Sequence, residues 1–308
     1  MLYSKSISDE LLKKLDPPKG LVRMVLDTDT YNEVDDQFAL SYALKSPEKL
    51  KVEAVYAAPF FNANSSGPAD GMEKSYQEIL KIFSLLKMDT AGKVFKGSTG
   101  YLRDAQTPQP SPAARDLVQR AMNGGPDPLY VVSIGAITNV ASAILLEPAI
   151  IGKIVVVWLG GHALNWPDTR EFNLEQDPPA SRIILDCGVP LIQFPCMGVT
   201  THLATTVAEL DAFLAHRSDI GTYLTDIVRS CSNTSAAWSR VIWDAVTIGW
   251  LINPDWVPTQ IVPSPILTDQ ITWGFDSDRH PIRSATFVQR DAIFTDLFRK
   301  LTAPESPV

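Results

Sequence analysis

Five short runs dense in valine, isoleucine and leucine, at residues 21–26, 52–58, 129–134, 154–159 and 190–194, limit what this chain can fold into. A strand that is apolar at every position must be covered on both faces, and a parallel sheet between layers of helices provides that cover. Segments with helical periodicity separate the runs. The clearest is 71–87, where Ile79, Leu80, Phe83 and Leu86 share one face. The alternation predicts an α/β fold, an open and mostly parallel sheet flanked by helices with a Rossmann-like core, in a single domain spanning 1–308. Beyond Thr200 the pattern becomes mostly helical, with helices expected at 207–216, 220–231, 243–252 and 291–301 and a short strand at 285–288. The proline-rich stretch 107–112 and the segment 162–179 read as loops.

Charge narrows the partners. A net charge of -8 without any basic run argues against nucleic acid or an anionic membrane and leaves a small neutral substrate open. No apolar stretch is long enough to span a bilayer, and residues 1–20 are amphipathic and charged rather than signal-like, so a cytoplasmic protein is expected. The three cysteines, Cys187, Cys196 and Cys231, lack metal-ligand spacing and read as small buried hydrophobes.

The first apolar run leads into Asp27-Thr28-Asp29-Thr30-Tyr31-Asn32-Glu33-Val34-Asp35-Asp36, five acids within ten residues. Like charges so close raise one another's pKa, and a packed carboxylate group at the carboxyl end of a strand calls for a cation. All the donors are hard oxygens, which suit Ca²⁺ or Mg²⁺. Open α/β sheets bind ligands at that rim. The competing explanation, acids complementing a helix dipole with Asp35 as N-cap, covers one or two of the five. A cation-held water beside a spare carboxylate is a hydrolytic arrangement.

This stretch resembles the D-x-D-x-x-x-D-D opening of the nucleoside hydrolases, the inosine-uridine preferring family, and further matches follow in order over most of the chain. Ser133-Ile134-Gly135-Ala136-Ile137-Thr138-Asn139 is similar to the family's strand-turn segment ending G-P-L-T-N. Leu159-Gly160-Gly161 resembles its M-G-G turn, Glu171-Phe172-Asn173 with Asp177-Pro178 its E-F-N…D-P segment, and Trp243-Asp244 falls where the family has H-D. The resemblance implies a calcium-dependent N-ribohydrolase that releases ribose and a free base. Asp29, Asp36, Asp244 and the Ile134 carbonyl would hold the calcium, Asp35 would be the general base, and Asp27 would orient the cluster. Asn165, Glu171 and Asn173 would bind the sugar, with Asn62 or Asn64 as a further contact. The family also implies a homodimer or homotetramer.

Two departures stand out. Five residues, Thr30 to Val34, separate Asp29 from Asp35, where the family has three, so either Asn32 or Glu33 adds a ligand or substrate contact, or the loop bulges outward and leaves the ligands in place. Trp243 stands where many relatives carry a histidine proposed to protonate the leaving base, and an indole there slightly favours a purine. Trp166 and Tyr31 are further candidates to touch the base, and His162, following Gly160-Gly161, is placed to reach the mouth of the site. Two other functions compete. One is a calcium-containing sugar or nucleoside binder without turnover. The other is a Mg²⁺-dependent phosphatase of the haloacid dehalogenase type, suggested by the D-x-D-x-T pattern at Asp27.

Overall fold

The computed structural model describes residues 9–232 and 237–303. Its main sheet has eight strands: β1 (Val22–Thr28), β2 (Leu50–Ala57), β3 (Val94–Lys96), β4 (Leu129–Ser133), β5 (Ile154–Leu159), β6 (Leu191–Phe194), β7 (Thr259–Pro263) and β8 (Pro281–Ala285). Their spatial order is β3-β2-β1-β4-β5-β6-β8-β7. All neighbours pair in parallel except β7, which runs antiparallel along β8 and closes that edge.

The continuous apolar runs become strands because each feeds two cores by alternation. Val155, Val157 and Leu159 of β5 enter one core, and Ile154, Val156 and Trp158 enter the other. Helices Asp36–Leu44, Pro68–Leu85, Pro112–Met122, Thr138–Leu146 and Pro178–Asp186 make the crossovers between successive strands from β1 to β6. The strand order reverses between β1 and β4, which creates a topological switch point at their carboxyl ends.

Four local expectations are corrected. Residues 162–179 hold the helix Phe172–Gln176 and the start of Pro178–Asp186, both capped by acids: Glu171 accepts from the Asn173 and Leu174 amides, and Asp177 accepts from the Ala180 amide. The stretch 107–112 ends in a helix start, with Ser111 capping and Pro112 in the first turn. The late strand lies at Pro281–Ala285 rather than 285–288. Arg283 interrupts its apolar pattern, yet the side chain leaves the sheet to bond the Leu15 carbonyl and Thr259 Oγ1. Cys231 is exposed at the end of helix Asp219–Cys231, whereas Cys187 and Cys196 are buried as expected. Among the described residues no helix is long and apolar enough to cross a membrane.

Candidate active site

The site grows from the switch point. Asp27, the sixth residue of β1, pairs in register with Ser133 of β4 and is fully buried. Its carboxylate accepts from Asn139 Nδ2 at 2.8 Å and Ser133 Oγ at 3.2 Å, while burial pushes its pKa up to about 7. The Asn139 amide reaches on to the Ala57 carbonyl and so ties the ends of β1 and β2 to the helix after β4. The Asp27 carboxylate is thus held within the strand framework.

Beyond it the chain turns, with the Asn32 amide donating to the Asp29 carbonyl at 2.7 Å, and enters helix Asp36–Leu44. Asp35 sits at the N-cap of that helix with αR backbone angles and makes no side-chain cap bond. Asp244 does the same at the start of helix Ala245–Ile252. Capping therefore explains neither acid. Instead Asp35, Asp36 and Asp244 converge, each offering a carboxylate oxygen within 4.8 Å of the other two. The positive ends of two helices face the group, which favours negative charge there.

Asp29 lies near these three, close enough to feel the charges of Asp36 and Asp35, but outside the set whose oxygens converge and behind the cavity lining. Both of its carboxylate oxygens are buried and neither meets a hydrogen-bond donor. Gly135 packs against it, so a Cβ at that position would lie 3.0 Å from the Asp29 carboxyl carbon. Burial first, and then the charges of Asp36 and Asp35, lift the Asp29 pKa well above the ordinary value. Asp35 and Asp244 are raised in the same way, and burial brings Asp36 to about 7 although Thr28 Oγ1 donates to it. Arg240, the cation that draws Asp35 down, is already paired with Glu33. Four buried acids, one of them without any donor, fit a hard divalent cation, because an unpartnered buried carboxylate is otherwise costly.

A cavity of about 260 Å³ opens over the cluster. Asp35, Asp36 and Asp244 line it together with Ile134, Glu171, Asn173, Asn32, Glu33 and Trp243. Asn173 Nδ2 donates to the carbonyls of Ile134 and Leu159, both at 3.1 Å, which leaves its Oδ1 as an acceptor. The Ile134 carbonyl keeps a second lone pair. Glu171 accepts from three backbone amides, those of Gly161, Asn173 and Leu174, and burial still raises its pKa to about 7. Gly161 turns its N–H toward that carboxylate in a left-handed conformation, φ +74°, where a Cβ would strike Thr169 and Trp273.

Other expected residues lie elsewhere. Asn165 is exposed and does not line the cavity. Asn62 and Asn64 also stay outside it: Asn62 Nδ2 donates to Asn32 Oδ1 at 2.5 Å, and Asn64 Nδ2 donates to the Asn32 carbonyl at 2.8 Å. They fasten the long loop and leave Asn32 facing the cavity. Glu33 reaches across to Arg240 of the short strand Arg240–Val241. Tyr31 and Trp166 are exposed and do not line the cavity, whereas His162 does. Arg170, Phe172, Cys196 and Met197 were not anticipated there. Cys196 and Met197 follow β6, so the rim rule that placed Asp27 and Ile134 also reaches them.

Comparison with known proteins identifies the family of the chain. The family model for inosine-uridine preferring nucleoside hydrolases matches residues 24–294. The pyrimidine-specific ribonucleoside hydrolase RihA of Salmonella paratyphi A is 28% identical, over 72% of this chain and 77% of the relative. Its counterpart in Salmonella typhimurium is 29% identical over the same shares. Among solved structures, a purine-preferring ribonucleoside hydrolase from Gardnerella vaginalis superposes with a TM-score of 0.72 at 21% identity, covering 91% of this chain and 98% of that one. A plant nucleoside hydrolase gives 0.70 at 19% identity, covering 93% and 100%. At these identities the structural likeness speaks for the fold alone.

Proposed function

Because the chain belongs to the inosine-uridine preferring nucleoside hydrolase family, whose members hydrolyse the N-glycosidic bonds of ribonucleosides, we propose that it is a calcium-dependent N-ribohydrolase that uses Asp35 as general base. The observation that carries this reading is the meeting of Asp244 with Asp35 and Asp36 at the floor of the cavity. Asp29, Asp36, Asp244 and the Ile134 carbonyl would hold the ion. When bound, calcium offsets the mutual repulsion of the acids and makes a water easier to deprotonate.

Asp35 fits the base because it faces the cavity, is almost fully buried and is not spent on capping its helix. Asn173 Oδ1 and Glu171 present acceptors for ribose hydroxyls, and both are held rigidly by the backbone bonds described above. Their negative potential also favours the cationic character that the sugar gains as the bond to the base lengthens. The half-buried indole of Trp243 offers an aromatic face to the base, which supports a purine; the Salmonella relatives described as pyrimidine-specific supply the opposing expectation. The protein is proposed to work in the cytoplasm as a single-domain subunit of a homodimer or homotetramer.

The test is release of reducing sugar from inosine and uridine, with calcium and with a chelator, by the intact protein and by Asp35→Ala. Turnover that needs the cation and drops about 10² to 10⁴-fold in the variant, with calcium still bound, is the expected result. A nucleoside binder would bind without turnover in either protein, and robust hydrolysis by the variant would remove Asp35 from its role.

A further inference from the structure

We propose that His162 activates the departing base, donating a hydrogen bond from its Nε2–H as the glycosidic bond breaks. This role rests on the ribohydrolase reading above and supplies the leaving-group contact that Trp243, lacking an imidazole, does not provide.

The first argument is the tautomer. The Met197 amide donates to His162 Nδ1 at 3.3 Å, so the single proton of a neutral ring sits on Nε2. The Gly161 carbonyl also lies beside the ring and accepts the Cys196 amide at 2.8 Å. Burial lowers the pKa of the ring against the pull of Asp168, which keeps it neutral. A neutral imidazole is a competent donor to developing negative charge, and it does not repel the cationic ribose as an imidazolium would.

The second argument is position and rigidity. His162 follows β5 and Gly160-Gly161 on the rim of the sheet and lines the same cavity as the acids. Its amide donates to Thr169 Oγ1 at 3.0 Å, its carbonyl accepts Trp273 Nε1 at 3.0 Å, and its ring meets Trp166 edge-on at 6.4 Å. Trp166 and Met197 are 43% and 37% exposed, which puts His162 toward the mouth, whereas Asp35, Asp36 and Asp244 are at most 3% exposed. Water activated at the floor attacks one side of the anomeric carbon, so the base leaves from the opposite side, toward the mouth. Two other donors of the cavity wall are committed: Arg170 bonds Glu175 and the Gln270 carbonyl, and both Asn173 donors are used within the fold.

The step balances without further reagents. A water oxygen forms the new bond to the anomeric carbon, Asp35 takes one of its protons, and the electron pair of the broken C–N bond goes to the base. The base departs as an anion hydrogen-bonded to Nε2–H. The proton stays on His162, and the base takes up its own proton from solvent after release.

The experiment compares inosine with 4-nitrophenyl riboside, whose phenolate leaves without a hydrogen-bond donor. His162→Phe should lose about 100-fold in kcat on inosine, yet stay within about threefold of the unsubstituted protein on the nitrophenyl riboside, which also reports that the variant is folded. His162→Gln, which carries an amide N–H, should recover part of the loss on inosine. Equal losses on both substrates, or full activity of His162→Phe on inosine, would overturn the role while leaving the ribohydrolase reading intact. Absence of turnover of any nucleoside by the unsubstituted protein would overturn both.

Discussion

Removal of the cation should make the stability of this protein fall as pH rises, and the slope can be worked from the acid cluster. Burial lifts Asp36 from 3.8 to about 7 when no ion is present. The folded state therefore holds that proton more tightly than the unfolded chain does. Below 3.8 the group costs folding nothing; as pH climbs to about 7 the penalty grows, and above that it is constant. A rise of about three pKa units corresponds to about 4 kcal/mol from this one residue. Asp29, Asp35 and Asp244 are shifted in the same direction. Against a typical domain stability of about 5–15 kcal/mol, a penalty of this sign and order weighs heavily on the cation-free protein at neutral pH.

Calcium reverses the sign, because it binds the ionised acids of the folded state; at about a hundred times its dissociation constant a ligand adds about 2.7 kcal/mol. Urea unfolding between about pH 5 and pH 8, with chelator and with calcium, measures the difference directly. Other groups also titrate in this range. Asp27 and Glu171 are raised to about 7, and His280 is lowered to about 4. His280 does not line the cavity and enters both conditions, whereas Asp27 and Glu171 lie near the ion and respond to it in the same direction as its ligands. The stabilisation by calcium should widen by several kcal/mol from the acidic to the alkaline end. Parallel profiles, or a cation-free protein as stable at pH 8 as at pH 5, would refute the argument.

Two other predictions follow from the packing. Gly135→Ala places a Cβ 3.0 Å from the Asp29 carboxyl carbon and should weaken calcium binding at least about tenfold, read by titration calorimetry, with little change in the stability of the cation-free protein. Asn62→Ala removes the bond to Asn32 Oδ1, worth about 1 kcal/mol, and should raise KM about fivefold with kcat nearly unchanged; a fall in kcat alone would return Asn62 to direct contact with the reacting sugar.

How much of this was legible depended on whether a feature is written locally or made by convergence. The strands β1, β2, β4, β5 and β6 were legible because burial on both faces leaves an unbroken apolar run. β7 was not: it is an edge strand with exposed positions and a terminal Pro263, so its pattern resembles a loop. The helix Phe172–Gln176 is only five residues long and is started by Glu171, whose pattern as a cap is indistinguishable from that of a sugar ligand until the amides of Asn173 and Leu174 are seen beneath it. Asn62 and Asn64 were recognised as belonging to the site's neighbourhood, but the residue types suited to a sugar hydroxyl are equally suited to a backbone carbonyl. Only the fold shows that the partner is Asn32.

The long loop between Asp29 and Asp35 illustrates why spacing is a weaker constraint than the endpoints it joins. Asp29 is fixed by the end of β1 and the close approach of Gly135, and Asp35 by the start of a buried helix. Two extra residues between such anchors need only a wider path. That path is held by asparagine bonds on one side and by the Glu33 to Arg240 pair on the other. The loop can therefore lengthen without moving the acids, while its new surface, Asn32 and Glu33, is delivered to the cavity wall. A change that would disturb the cluster if the loop itself set the geometry instead alters what the cavity presents to the substrate.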